Sequence, residues 1–484
     1  VLFFAFLLSQ FAAAQQLPLK NLDEYIEKAI KDWNVAGMAI AIVKDDTVVY
    51  AKGFGYKNVD EKTEIDEHTL FAIGSTSKAF TAALMGMLVD EEKVRWDDKV
   101  TQHLPEFQLY DPYVTREFTI RDLLCHRSGL SRGDQLWFGS TFSRDEILYR
   151  IRYLEPSWSF RSHYGYQNIM FLIAGQLIAQ VTGKSWDDNV KERIFLPLGM
   201  NETNTSINDF KPGDNAATPH QRTRDTLRTI PWRDIDNIGP AGSINSNVVD
   251  MAKWLRLQLG NGTFEAREFW SSDIQREMHS PQTITSGLRT GLSHFSLYGL
   301  AWSLRDYRGK FIASHSGSID GMNASVGLMP EENLGVVQLS NVNGNPIMSN
   351  LMNRIFDAYL GVPEDEWRDV GQPREPSTQQ RQRRQEEQPP PEDTKPSLPL
   401  ERYAGTYENK MVGNVKVELK DGKLTLDFEG YPDAVLEHRH LDTFRYTFKD
   451  KYANSYNLTF IIDASARISG INMQRLGEFR RVGR

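Results

Sequence analysis

Thr69-Leu70-Phe71-Ala72-Ile73-Gly74-Ser75-Thr76-Ser77-Lys78-Ala79-Phe80 is the stretch on which the reading of this 484-residue chain turns. Thr69 to Ile73 has the look of a short extended lead-in, and Gly74 permits a tight turn. Phe80, Leu84, Met87 and Leu88 then fall at helical spacing until Asp90-Glu91-Glu92 returns the chain to water. The spacing predicts a buried helix opened by Ser75, with Lys78 projecting from the same side three residues on. The positive helix end favours developing negative charge near Ser75. A serine hydroxyl becomes a nucleophile only beside a base, and a lysine stripped of water can be that base. Taken alone, the segment reads equally well as an N-capping serine followed by a solvated lysine. A Ser-x-x-Lys also arises by chance roughly once or twice in a chain this long.

Two further motifs follow in order. Tyr166-Gln167-Asn168 stands just ahead of an apolar helix expected over Ile169 to Val181, at a loop-to-helix junction where side chains leave a rigid frame. A tyrosine there can pass a proton to and from the serine, and an asparagine can donate to a substrate amide oxygen. The plainer alternative is a packed aromatic followed by a cap. His315-Ser316-Gly317-Ser318 lies on a strand begun by Phe311-Ile312-Ala313-Ser314, before a turn at Asp320-Gly321 and a second strand, Met322 to Leu328. Gly317 allows a ligand backbone close approach. The Ser318 N–H can pair with that of Ser75 to hold an oxyanion. A lone strand histidine is more often structural than catalytic.

In this order and context the chain resembles the serine β-lactamase and penicillin-binding-protein superfamily. The resemblance is to the branch of class C β-lactamases, D-Ala-D-Ala carboxypeptidases, D-aminopeptidases and related esterases. Thr119-Ile120-Arg121-Asp122-Leu123-Leu124-Cys125-His126-Arg127-Ser128-Gly129-Leu130, Phe195-Leu196-Pro197-Leu198-Gly199-Met200 and Pro240-Ala241-Gly242-Ser243 extend it over about residues 20–360. The resemblance implies Ser75 as the acylated nucleophile, with Lys78 and Tyr166 sharing general-base and general-acid work. It implies Asn168, His315, Gly317 and Gly242 on the substrate and the N–H groups of Ser75 and Ser318 as the oxyanion hole. β-Lactamases of this superfamily carry lysine where this chain has His315, and histidine is mostly neutral near pH 7. That lowers the expectation of efficient antibiotic hydrolysis and favours an esterase or D-peptidase. β-Lactamase, D-Ala-D-Ala carboxypeptidase and a ligand-binding sensor without turnover remain the alternatives.

The organisation agrees. An amphipathic helix over Leu22 to Trp33 and a hairpin, Met38 to Val43 and Val48 to Phe54 over Asp45-Asp46, come early. Matching strands recur far downstream at Tyr298 to Leu304, Phe311 to Ser316, Met322 to Leu328 and Leu334 to Leu339, before a closing helix, Ile347 to Leu360. The expected fold is α/β of the α+β type: one antiparallel sheet flanked by terminal helices, with a helical subdomain inserted. The Gln- and Arg-rich segment from 379 and its prolines cannot form a core, so residues 371–397 read as a linker between a hydrolase domain (15–370) and a small β domain (398–484). Short alternating strands, such as Val415/Val417/Leu419 and Leu424/Leu426/Phe428 about Asp421-Gly422, predict a small β-barrel resembling a lipocalin-like domain. His438 and His440 would share a strand face there, two ligands short of a metal site.

With 56 basic and 64 acidic residues the net charge is −8, which argues against nucleic acid as partner. The single cysteine, Cys125, allows no internal disulfide and sits between apolar neighbours as a packed residue. Val1 to Leu8 followed by Ala12-Ala13-Ala14 resembles a secretory leader (1–14), giving a secreted or periplasmic protein with no further membrane span. A sequon at Asn323, beside the His315 strand, argues for a bacterial rather than a eukaryotic secretory origin. No metal or organic cofactor is implied. The expected partner is a small-molecule or peptide substrate, and a homo-oligomer is left open.

Overall fold

The computed structural model describes residues 18–222, 226–286, 292–367 and 394–483. The leader and nearly all of the linker expected from the sequence lie outside those residues.

Gly37–Lys44 is the backbone of the first domain. Its side chains alternate, Met38, Ile40 and Ile42 to one face and Ala39, Ala41 and Val43 to the other, and both faces are buried. Met38, Ile40 and Ile42 pack with Ile26 of the helix Leu22–Asp32 and with Leu351 and Ile355 of the helix Ile347–Tyr359. The alanines leave room on the other face for the inserted helical region, so small and large residues set the two spacings. The strand ends in the expected hairpin, with Asp45 and Asp46 at φ 50° and 60°, the left-handed pair that a two-residue turn demands. The antiparallel sheet has nine strands. In spatial order they are Thr283–Ser286, Ser296–Tyr298, Ser303–Tyr307, Lys310–Ile319, Met322–Met329, Leu334–Ser340, Gly37–Lys44, Thr47–Asn58 and Thr63–Glu64.

The strand expected over Tyr298 to Leu304 is a correction. It is two strands joined by a turn at Gly299–Trp302. The Gly299 N–H closes on the Trp302 carbonyl (2.8 Å), while the N–H groups of Leu300 and Ala301 reach the Met278 and Leu124 carbonyls (3.0 and 2.9 Å). Leu300 and Trp302 are buried, so the apolar run that looks like one strand is a turn docked into the helical region.

At the centre of that region lies the helix Ser77–Asp90, whose Ser77 to Leu88 are all buried, as an all-round apolar sequence requires. The helices Asn168–Thr182 and Gly239–Gly242 pack against it. The last domain is a closed eight-stranded barrel running from Gly405–Asn409 to Gly477–Val482, whose first and last strands pair at Thr406 and Val482. Tyr403, Tyr407, Phe444 and Phe460 meet edge to face inside it. A register shift falls between His438 and His440, and each ring bonds locally, to the Leu441 carbonyl and to Thr394.

Candidate active site

Ser75 sits in a tight 3-10 turn, Gly74–Thr76, that feeds directly into the helix Ser77–Asp90. Neighbouring hydroxyls are consumed by backbone: Thr76 donates to the Ile73 carbonyl (2.9 Å) and Ser77 to that of Gly74 (2.7 Å). The Ser75 hydroxyl instead meets Lys78, with Oγ and Nζ 3.1 Å apart. Lys78 is fully buried, and its Nζ also lies 2.8 Å from Asn168 Oδ1 and 2.8 Å from the Ala241 carbonyl. Burial pushes the amine well below the ordinary lysine range; Arg132 adds to the push and Asp134 opposes it. A neutral amine has two N–H bonds and one lone pair. With the bonds given to Asn168 and Ala241, the lone pair is left for the Ser75 hydroxyl.

Tyr166 completes the cluster from the start of the helix Asn168–Thr182. Gln167 caps that helix, accepting from the Ile169 N–H (3.0 Å), while its own N–H donates to His126 Nδ1 (3.1 Å). That bond fixes the His126 proton on Nε2, which is buried among the rings of Tyr166, Tyr298 and Tyr164 with no polar partner among the described residues. Tyr166 lies 4.1 Å, ring to ring, from His126, and Lys78 Nζ is 4.9 Å from its ring centre. Burial raises the phenol well above the usual tyrosine range, and a hydrogen bond with Ser75 pulls it partway back. It therefore keeps its proton until something takes it. The loop leading to Tyr166 is tied down by buried Asp122, which accepts from Arg127 (2.6 Å) and Arg161 (2.6 Å). Burial raises that carboxyl, but Arg161, Arg127 and Thr119 outweigh it and hold it low.

The strand Lys310–Ile319 closes the other side. At Gly317 a Cβ would fall 1.9 Å from the Ile73 carbonyl oxygen and 3.0 Å from the Ser75 nitrogen, so only glycine fits. At Gly74 (φ 52°) one would fall 2.8 Å from the Ser318 nitrogen. The Ser75 and Ser318 N–H groups thus belong to one seam between turn and strand. Buried Gly242 backs this seam, its missing Cβ 3.7 Å from the Gly74 carbonyl carbon.

His315 differs from the expectation of a substrate contact. It is 5% exposed, its Nδ1–H donates to the Ser316 carbonyl (2.7 Å), and its Nε2 accepts from Tyr298 (2.9 Å). Burial lowers its pKa to about 3. Both ends of Asn168 are likewise taken inside the protein, Oδ1 by Lys78 and Nδ2 by Asp134 (3.1 Å). Asp134, Arg132 and Tyr298 join this cluster although no motif contains them, and Ala241, inside the Pro240-to-Ser243 motif, joins it through its carbonyl. Cys125 is packed, with burial pushing its thiol up to about 12. No three His, Cys, Asp or Glu side chains gather as metal ligands would among the described residues, nor does any helix there have the length and apolarity to cross a membrane.

A mixed sheet-and-helix domain with this serine, lysine and tyrosine in contact defines a class, the serine hydrolases of the β-lactamase fold. The family profile named Beta-lactamase matches residues 22–359, and the chain belongs to that family. A second profile, a domain of unknown function (DUF3471), matches residues 389–481. An unguisins hydrolase of Aspergillus campestris is 31% identical over 410 residues, covering 80% of this chain and 75% of that protein. An octameric penicillin-binding protein homologue from Pyrococcus abyssi shares the fold over 95% of this chain and 99% of its own, with a TM-score of 0.64 and 22% identity. D-amino acid amidase from Ochrobactrum anthropi covers 71% of this chain and 99% of its own, with a TM-score of 0.58 and 21% identity.

Proposed function

We propose that this protein hydrolyses amide or ester bonds of small or D-amino-acid-containing substrates through an acyl-enzyme on Ser75. The observation that carries this reading is the buried amine of Lys78, its Nζ 3.1 Å from Ser75 Oγ and its pKa pushed well below the ordinary lysine range by burial. As Oγ attacks the acyl carbon, its proton passes to Lys78, and the carbonyl oxygen takes up negative charge against the N–H groups of Ser75 and Ser318. Breaking the C–N or C–O bond expels an amine or alcohol that takes the Tyr166 proton. The Lys78 ammonium then returns its proton to the phenolate. Water repeats the sequence on the acyl-enzyme, releasing the acid and restoring Ser75.

Relatives named as an unguisins hydrolase and a D-amino acid amidase favour an amide over a β-lactam. So does His315, a neutral group with both nitrogens engaged where an antibiotic carboxylate would want a cation. The apolar Val1 to Leu8 run before the three alanines supports a secreted or periplasmic setting. The test is a screen of short p-nitrophenyl esters, D-aminoacyl amides and nitrocefin on the wild type and Ser75→Ala. Turnover of an ester or amide, abolished in the variant, is expected. Turnover by Ser75→Ala at the wild-type rate defeats the reading, and a lasting mass adduct without turnover replaces it with a sensor.

A further inference from the structure

Asn168 holds Lys78, and Asp134 in turn holds Asn168. One Asp134 oxygen accepts from Asn168 Nδ2 (3.1 Å) and Trp137 Nε1 (2.8 Å). The other pairs with Arg132 (2.5 Å), whose guanidinium lies 5.1 Å from the Tyr166 ring centre. Asp134 thereby fixes which way the Asn168 amide faces: with Nδ2 given to a carboxylate, Oδ1 must point at Lys78. A flipped amide would set two donors against each other at Nζ and turn the amine's lone pair away from Ser75.

The loop carrying Asp134 is gripped by the barrel. The Tyr431 hydroxyl donates to the Gln135 carbonyl, and the Thr141 N–H donates to that of Gly430 (2.8 Å). Phe142 is buried edge-on to Tyr431 and beneath Gly430, where a Cβ would land 2.1 Å from its ring. Farther round the same face, Arg475 lies 4.7 Å from the Phe138 ring. A second contact runs to the sheet side. Arg233 stacks on barrel residue Tyr452 (3.6 Å) and pairs with Asp320, two residues beyond Ser318.

We infer that Asp134 is a positioning residue for Asn168 and Lys78, and that the barrel, by clamping the Arg132–Phe142 loop, keeps it in place and so sets turnover. This rests on the proposed hydrolase reading, and it gives the C-terminal barrel a part in catalysis. The groups around Lys78 are Arg132 and Asp134 from the loop, Tyr166 from the helix junction, His126, and His315 from the strand. Of these, the Asp134 carboxylate is the one that raises the proton affinity of Lys78. Its loss lowers that affinity.

Asp134→Asn should therefore lower kcat roughly 100-fold, the scale of a misplaced catalytic group, with KM nearly unchanged. What activity remains should persist to lower pH than in the wild type, a shift that a merely structural residue would not produce. Tyr431→Phe changes no charge. It should cost kcat roughly three- to tenfold, the value of one hydrogen bond, and leave the acid limb where it was. Circular dichroism checks that both variants are folded, and the rate of Ser75 labelling by a fluorophosphonate supplies a second readout. A wild type that takes no label at Ser75 defeats the hydrolase reading itself. A wild type that labels, beside an Asp134→Asn that turns over at the wild-type rate with an unmoved acid limb, overturns the inference alone. Wild-type kcat in folded Tyr431→Phe removes the barrel from it.

Discussion

Lys78 on the helical side of the site and His315 on its sheet side are both buried, and burial lowers the pKa of each, yet their hydrogen bonding differs in kind. Lys78 Nζ meets two groups that can only accept, Asn168 Oδ1 and the Ala241 carbonyl, and a third, the Ser75 hydroxyl, that can donate to the amine once it is neutral. The histidine has no such opening, since Ser316 takes its proton and Tyr298 fills its lone pair. Burial and a displaced pKa therefore do not distinguish a working group from a structural one. The distinction lies in whether an unfilled valence is aimed at the reacting atom. In the proposed mechanism the helical side therefore carries the chemistry, and the sheet side supplies shape and one backbone N–H.

The largest expected effect breaks the helical side. Lys78→Met keeps most of the volume and removes the lone pair, so turnover of the best ester or amide from the screen should fall roughly 10,000-fold. Tyr166→Phe, which removes the proton offered to the leaving group, should cost roughly 100–1000-fold. Amides should suffer more than p-nitrophenyl esters, because p-nitrophenolate departs without needing a proton. Steady-state kinetics on the two substrate types checks both. The pH dependence follows from the sign of the Lys78 shift. Only the neutral amine accepts the Ser75 proton, so kcat/KM should fall as pH drops through its lowered pKa, with the acid limb well below the ordinary lysine value. A profile whose acid limb sits near the ordinary lysine value would contradict the buried neutral base.

Much of this contrast was legible in the sequence where chemistry and periodicity coincide. Ser75, Lys78 and Tyr166 each precede or open an apolar helix, and Gly317 lies on a strand just ahead of a turn, but it is the family resemblance, added to that pattern, that brings them to one place. The period-2 strands about Asp45-Asp46 and Asp421-Gly422 were equally open to reading, because both hairpins close on two-residue turns. Asp134 was not. It opens a single 3-10 turn, Asp134–Leu136, too short to show a period, and its partner Asn168 is 34 residues away. The roles of His315 and Tyr298 were hidden for a related reason. Their bond joins strands separated by a hairpin whose turn, Gly299–Trp302, carries apolar residues where turn chemistry would normally announce itself.

The smallest effect on rate, and the sharpest test of the comparison, is expected on the sheet side. Tyr298→Phe leaves His315 Nε2 buried without a donor, which should cost about 1–3 kcal/mol of stability at pH 7. Turnover should change far less than in Tyr166→Phe. The His315 pKa, normally near 6.5, is depressed to about 3 in the folded protein. The unfolded chain therefore binds the extra proton first, and the stability tied to neutral His315 is complete above pH 6.5 and drains away as pH falls toward 3. Without the Tyr298 donor the neutral ring is less favoured, so its pKa rises toward the ordinary value and that drain shrinks. Thermal melts from pH 7 to 4 should show the variant below the wild type at neutral pH, with the gap closing on acidification. A Tyr298→Phe that keeps its melting temperature but loses as much turnover as Tyr166→Phe would place chemistry on the sheet side and undo the division drawn between Lys78 and His315.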